Sequence, residues 1–292
     1  MEYKTIIMKR VLRVIATIVL LLAMYCLLQI LFLTVATTVS VFFAASSGSI
    51  PPESLEFIND AQFLKDNPAV DACVVNARAL GIFLSTLAML FFIHFSGYYK
   101  LRWGILRSVA PKPLLISTLL VFSSMFALNV FVQWFSLDDN LADVLSGLSH
   151  NVLGILGIAV LAPLLEEVLF RGAIQGVMMR FFGRPWLAII VSALVFGIFH
   201  WNPIQVVYAT LLGIVLGWIY YRTGSLLSVI VGHVLNNSIA VITTIAYGAT
   251  EEEAVAQSSI GVVGFIIFAS LSVYFAVKLN GSLPPVGKAA EE

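Results

Sequence analysis

Charge is what this chain of 292 residues has least of. Only 16 basic and 16 acidic side chains are present, 11% of the residues, where soluble domains carry roughly 25%. Apolar residues make up 60%, and a soluble fold of this length has no polar shell large enough to cover them. Cysteine is scarce too. Cys26 and Cys73 are the two present, one inside an apolar run and one in an expected outer loop, so no disulfide framework is expected. The net charge is zero, which offers no basic surface for nucleic acid. Sequence repeats and low-complexity tracts are absent as well. What remains is a membrane protein.

The few charges are clustered, and the gaps between them are long. None falls between Arg13 and Glu53, Arg78 and Lys100, Lys112 and Asp138, Asp143 and Glu166, Arg184 and Arg222, Arg222 and Glu251, or Glu253 and Lys278. A bilayer-spanning helix needs about 20 apolar residues, so each window supplies one span. The window after Arg184 is long enough for two and is broken by His200, Trp201, Asn202 and Pro203. The expected fold class is all-α: a polytopic membrane helix bundle of about eight transmembrane helices. The first apolar run exceeds the 7–15 residues of a secretory signal core, so a retained anchor is expected. It is long enough for a tilted helix or a helix plus a surface segment.

Lys and Arg favour cytoplasmic loops. Lys4, Lys9, Arg10 and Arg13 precede the first span; Glu53, Glu56, Asp60, Asp66 and Asp71 follow it. The alternation continues through Lys100, Arg102, Arg107 and Lys112, then Asp138, Asp139 and Asp143, then Arg180, Arg184 and Arg222, then Glu251 to Glu253, then Lys278 and Lys288. Both termini are therefore expected in the cytoplasm. The divisions expected are N-terminal helices over 1–150 with an acidic outer loop at 45–78, a helical core over 151–280, and a cytoplasmic tail over 281–292.

Charged groups in hydrocarbon cost at least a few kcal/mol and need a reason. Three remain once the loop charges are set aside: Glu166, Glu167 and Arg171. Glu167 and Arg171 are four apart with the acid first, the favourable order for a helical ion pair. That pairing leaves Glu166 without a partner in its own helix, as a general base would be. His233 and Asn237 are also four apart and share a helix face. At 1.5 Å per residue, Glu166 lies about 21 Å from Arg180 and His200 about 22 Å from Pro185. Asn237 lies about 20 Å and His233 about 14 Å from Gly224. All four reach one level of the bundle. His94 and His150 read as packing residues. Gly213 and Gly217 read as close helix packing, and Trp103, Trp134, Trp186 and Trp218 as interface anchors.

Glu166-Glu167-x-x-x-Arg171, Phe196-x-x-x-His200 and His233-x-x-x-Asn237, in that order on successive apolar segments, resemble the three motifs of the CAAX-protease/bacteriocin-processing (CPBP, or Abi) family of intramembrane proteases. That family includes the type II CAAX prenyl endopeptidases. Phe170-Arg171-Gly172 and Thr223-Gly224-Ser225-Leu226 match its flanks, and the resemblance covers about residues 154–240. It implies a cavity open to the cytoplasm and the membrane, and peptide-bond hydrolysis. Glu166 and His200 would activate a water, while His233 and Asn237 would stabilise the oxyanion. Glu167 and Arg171 would brace them. No metal is favoured, because a buried glutamate and histidine activate water unaided. Zinc is the alternative cofactor, with Glu166, His200 and His233 as its three ligands. The expected partners are the lipid bilayer and a peptide or protein substrate presented at the membrane, prenylated or otherwise lipidated in the eukaryotic case, with no nucleic acid. The membrane would be the cell (inner) membrane of a prokaryote or the endoplasmic reticulum of a eukaryote. Two other classes stay open: a non-proteolytic membrane scaffold on the same fold, and a transporter. The crowding of polar residues into the second half argues against the latter, because carriers often pair two related halves.

Overall fold

The structure is a computed structural model, described for residues 2–100, 109–135, 137–139, 142–247 and 259–284. The acidic run Glu251 to Glu253 and residues 285–292 of the expected tail lie outside the described residues. Every regular element among those described is helical. The chain runs α1 (Glu2–Ser46), α2 (Ala61–Asp66), α3 (Pro68–Phe95), α4 (Pro111–Gln133), α5 (Ala142–Ser149) and α6 (Val152–Phe182). It continues with α7 (Pro185–Ile198), α8 (Pro203–Thr223), α9 (Leu226–Tyr247) and α10 (Ser259–Ser282).

Seven of these helices are long and apolar enough to cross a membrane, and α7, with 14 residues, is the shorter eighth. The order matches the eight expected spans. Proline marks the first turn of α3, α4, α7 and α8, where its missing N–H costs nothing because that donor has no helical partner. Gly183 and Gly224 end α6 and α8 in the left-handed conformation that glycine adopts without strain.

The first run forms one continuous helix of 45 residues, about 67 Å long and more than twice the hydrocarbon thickness. The stretch 45–78, expected as an outer loop, is mostly helical. The α1 helix runs to Ser46 and α3 begins at Pro68, so Cys73 lies in a helix, and Cys26 and Cys73 are both free. A 3₁₀ turn at Pro52–Leu55 and α2 fill the space between. Asp60 caps α2 by accepting from Gln62 N and Phe63 N at 2.9 and 3.0 Å. Val41, Ile50, Leu64, Val70 and Val74 bury themselves together beneath it.

Helix α1 packs along α3, α4 along α10, and α7 against α8. The contacts sort the charges by end. At one end Arg13 lies 5.9 Å over the Phe181 ring and Arg222 donates to Asn280 O at 3.1 Å. The start of α1, the end of α6, the end of α8 and the end of α10 therefore share this basic end. At the other, Asn202 donates to Asp139 Oδ1 at 2.8 Å, Asn151 donates to Asn76, and Arg78 reaches Ile58 O at 3.4 Å. The main core joins α6, α7, α8 and α9 through Phe170, Ile174, Phe196, Leu212, Leu216 and Val229.

The α7–α8 crossing depends on Gly197. A Cβ there would overlap Thr210 Oγ1 and stand 2.6 Å from Val206 O. Gly197→Ala is expected to destabilise the protein by about 1–3 kcal/mol through overpacking. Gly264→Ala, where a Cβ would have nothing within 4 Å, is expected to be neutral or mildly stabilising. Thermal unfolding of the two variants in detergent separates these outcomes.

Candidate active site

The site is built on an irregular helix. Within α6, Gly157–Leu161 and Glu167–Gln175 are π-helical, separated by the α-helical turn Ala162–Glu166. A π turn closes i→i+5 bonds and is frequent at functional sites. In the first of these segments, the carbonyl of Ile158 would take its bond from residue 163. That residue is Pro163, which has no N–H to give. Asn237 fills the vacancy: its Nδ2 donates to Ile158 O at 3.0 Å.

That one bond sets the direction of a chain. A carbonyl only accepts, so Asn237 turns its amide nitrogen to Ile158 and its Oδ1 away. Asn236 Nδ2 donates to that oxygen at 3.0 Å, and Tyr208 O–H donates to Asn236 Oδ1 at 2.5 Å. The series Tyr208, Asn236, Asn237, Ile158 thus ties α8, α9 and α6 together.

The second π segment carries the charges. Glu167 and Arg171 are fully buried, at 0% and 1% side-chain exposure, with Arg171 Nη1 at 3.0 Å from Glu167 Oε1. The same Oε1 accepts from His233 Nδ1 at 2.7 Å. Arg171 also donates to Gly213 O at 3.3 Å and lies 4.5 Å over the Phe196 ring. One helical step on, Gln175 donates to Gly217 O at 2.9 Å. The Gly-x-x-x-Gly pair is close packing, as expected, and the pair also offers two carbonyls to the charged helix. A Cβ on Gly217 would stand 2.9 Å from Gln175 Oε1, and one on Gly213 would stand 3.1 Å from Phe196.

Glu166 has no partner in its own helix, as expected from the pairing of Glu167 with Arg171. It is 17% exposed, and its Oε2 lies 3.5 Å from His233 Nε2. His200 lies in the turn just after α7, with Nδ1 at 2.8 Å from Phe196 O and its ring edge-on to Phe196. Facing a carbonyl, Nδ1 donates, and in the neutral ring Nε2 is then the acceptor. The next residue, Trp201, takes φ 54°, the left-handed region. Asn202, fully buried, begins α8.

Glu166, His200, His233 and Asn237 line one cavity of about 340 Å³, together with Phe196, Gln205, Tyr208 and Asn236. Its remaining wall is aliphatic, from Leu145, Leu148, Ile158, Ala162, Leu212 and Val241 among others. Glu167 and Arg171 stand behind it. Two details differ from expectation. The Asn237 amide already donates to Ile158 O, leaving one N–H of its pair. His233 has a glutamate at each nitrogen. The zinc set Glu166, His200 and His233 is not gathered as ligands: among the described residues, no three His, Cys, Asp or Glu side chains converge as metal donors. His150 Nδ1 lies on Ser146 O at 2.8 Å and His94 packs edge-on to Phe95, both outside the cavity.

The lining also has a direction. It comes from α5, the first half of α6, the last turn of α7, the first half of α8, and the middle and second half of α9. Each of these lies toward the acidic end of the bundle. Arg180, Arg184 and Arg222 lie toward the other end of these helices.

Residues 148–239 match the family of type II CAAX prenyl endopeptidases described as Rce1-like. The chain carries a domain of that family. The Rce1-like segment contains all three motifs and every polar residue of the cavity named above. No curated protein and no solved structure matches the chain. The chain is thus a multi-pass membrane protein with a CAAX-protease-type domain. Tyr208, Asn236, Gln205 and Gln175 were not singled out for roles by the sequence reasoning. Gln175 had a signal, four residues after Arg171 on the same face. Asn236 had only its adjacency to Asn237, and Tyr208 only a hydroxyl in an apolar helix.

Removing one member of a buried ion pair costs about 3–5 kcal/mol because the other charge is left stranded. Arg171→Met is expected to lose that much stability, and Glu167→Gln/Arg171→Met to recover part of it. Unfolding of the single and double variants checks the coupling.

Proposed function

We propose that this protein is an intramembrane endopeptidase that hydrolyses a peptide bond of a membrane-presented substrate without a metal. The observation that carries this reading is the convergence of Glu166, His200, His233 and Asn237, from three separate motifs of the Rce1-like segment, on one largely aliphatic cavity. Glu166 is the base: a partly exposed carboxylate at the cavity wall, it takes a proton from the attacking water, with His200 Nε2 as the second acceptor. The water oxygen bonds to the scissile carbonyl carbon, and the carbonyl oxygen becomes an oxyanion.

Two donors meet that oxyanion. Asn237 supplies the N–H not committed to Ile158 O, and His233 supplies Nε2 once Glu166 has moved its proton on. Glu167 acts through His233. Bonded to Nδ1 and held by Arg171, it keeps the imidazole oriented with Nε2 toward Glu166. Asn236, itself held by Tyr208, fixes the Asn237 amide by occupying its oxygen. The proton then passes to the leaving amine, and the C–N bond breaks. The apolar wall excludes bulk water, where such donors are worth far less.

Purified protein in liposomes, given a fluorogenic prenylated Cys-a-a-X peptide and an unprenylated control, tests this. Glu166→Ala and His200→Ala are expected to abolish cleavage. Asn237→Ala is expected to lower kcat roughly 10²–10³-fold, the usual cost of one oxyanion donor. Arg184→Ala, exposed at the far end, is expected to retain activity, and a zinc chelator to leave wild type unchanged. Cleavage by Glu166→Ala at the wild-type rate overturns the mechanism.

A further inference from the structure

A polar pair, Tyr25 and Gln29, sits in the middle of the N-terminal helix. Between Arg13 and Ser46 the chain carries no other amide side chain than Gln29, one turn after Tyr25. An amide in hydrocarbon is costly unless it is bonded, and Gln29 Nε2 donates to the Tyr25 hydroxyl oxygen at 3.2 Å. That oxygen is engaged as an acceptor, so its own O–H remains to be donated elsewhere. Both residues lie outside the Rce1-like segment 148–239.

Helix register brings the pair to the catalytic level. Helix α1 touches both the second π segment and the last turns of α6, and the contact of Arg13 with Phe181 aligns the two. From that contact Tyr25 lies about 18 Å along α1, and Glu166 at most about 22 Å along α6. Tyr25 faces inward there. Val14, Leu21, Tyr25 and Leu28 recur at helical spacing and pack on the main core.

The neighbours of Tyr25 belong to the site. Its ring lies on Phe199 at 5.1 Å between centroids, and Phe199 immediately precedes His200. Phe199 in turn meets Phe170 edge-on at 6.2 Å, one turn past Glu166 on α6. Glu166 is the carboxylate whose charge acts on the Tyr25 hydroxyl.

From this geometry we propose that Tyr25 is a positioning residue for Glu166, its hydroxyl donating toward the carboxylate and setting its orientation. A carboxylate at a cavity wall turns about its last bonds unless it is restrained. His233 Nε2, 3.5 Å from Oε2, restrains it from α9, and Tyr25 restrains it from α1. Gln29 strengthens the donor, because a hydroxyl that accepts a hydrogen bond donates a better one. The same ring steadies the turn that carries His200. The two groups that activate water are thus set relative to each other by a helix outside the matched segment. The proposal rests on the endopeptidase reading for the role of Glu166 as base, whereas the Tyr25–Glu166 interaction itself does not.

Two measurements on the full chain test it. In the first, cleavage of the fluorogenic Cys-a-a-X peptides is compared for wild type, Tyr25→Phe, Gln29→Leu and the double variant. Tyr25→Phe keeps the ring and loses only the hydroxyl. Its kcat is expected to fall about tenfold, as for one hydrogen bond to a charged group, with KM within about twofold of wild type. Gln29→Leu is expected to lower kcat about threefold. The double variant is expected to match Tyr25→Phe, because Gln29 acts through the phenol. A wild-type kcat for Tyr25→Phe overturns the proposal, since a tyrosine that merely packs is replaced by phenylalanine without loss of rate.

The second measurement needs no activity. Unfolding midpoints in detergent for wild type, Tyr25→Phe, Glu166→Ala and their double variant form a cycle. Tyr25→Phe is expected to lower the midpoint of wild type, and to leave that of Glu166→Ala unchanged or raise it. Equal shifts in the two backgrounds overturn the proposal. A non-additive cycle in a protein that cleaves no peptide keeps the Tyr25–Glu166 interaction and removes the endopeptidase reading. An additive cycle with normal cleavage does the reverse.

Discussion

A carboxylate sealed inside a membrane protein has to be answered by something, and here the answer to Glu167 organises the molecule. Its Oε1 receives both Arg171 and His233. Arg171, fully buried in turn, donates from its other Nη to the Gly213 carbonyl and lays its cationic face on Phe196. Through that single oxygen α6 is fastened to α8 and α9, and through Phe196 to α7. The glycines of α8 are small because this backbone must come near enough for Arg171 and Gln175 to reach it. Burial of the pair does not itself guarantee stability, since desolvation offsets much of the attraction. What it does is fix which helix faces meet, and hence where Glu166 and His233 stand.

Much of this was legible in the residues. The charge-free windows define the spans because a bilayer tolerates few charges, and the chain follows them in order. The Glu167–Arg171 pair and the isolation of Glu166 follow from four-residue spacing, which holds even though the segment winds as a π-helix. The shared level of His200, His233 and Asn237 follows from counting rise per residue. Less visible was the acidic segment 45–78, where polar residues disguise the helical start at Pro68. Hidden too was the donor chain from Tyr208. Its cause is a proline five residues past Ile158, and that spacing matters only once the backbone is known to be π-helical.

The Rce1-like match covers the part of the chain where those constraints concentrate. The helices before it contribute differently. Tyr25 of α1 stacks against Phe199 beside the His200 turn, at 5.1 Å between ring centroids. Helices α4 and α10 close the other flank through Phe126 on Phe268 and a bonded serine cluster, Ser123, Ser124 and Ser272.

The brevity of α7 has a consequence for the lipid around it. Fourteen residues rise about 21 Å, well short of a hydrocarbon layer of about 30 Å. The turn carrying His200, the exposed Trp201 and the buried Asn202 therefore ends below the level at which a full-length span would surface. Lipids beside α7 meet a protein edge that is too short for them, and they adjust by dimpling inward at a cost of fractions of a kcal/mol per ångström. The bilayer is then thinnest next to the one helix whose tip holds a site residue. Lipid chain length, by setting how deep that dimple must be, therefore sets how far the turn carrying His200 lies from the membrane surface.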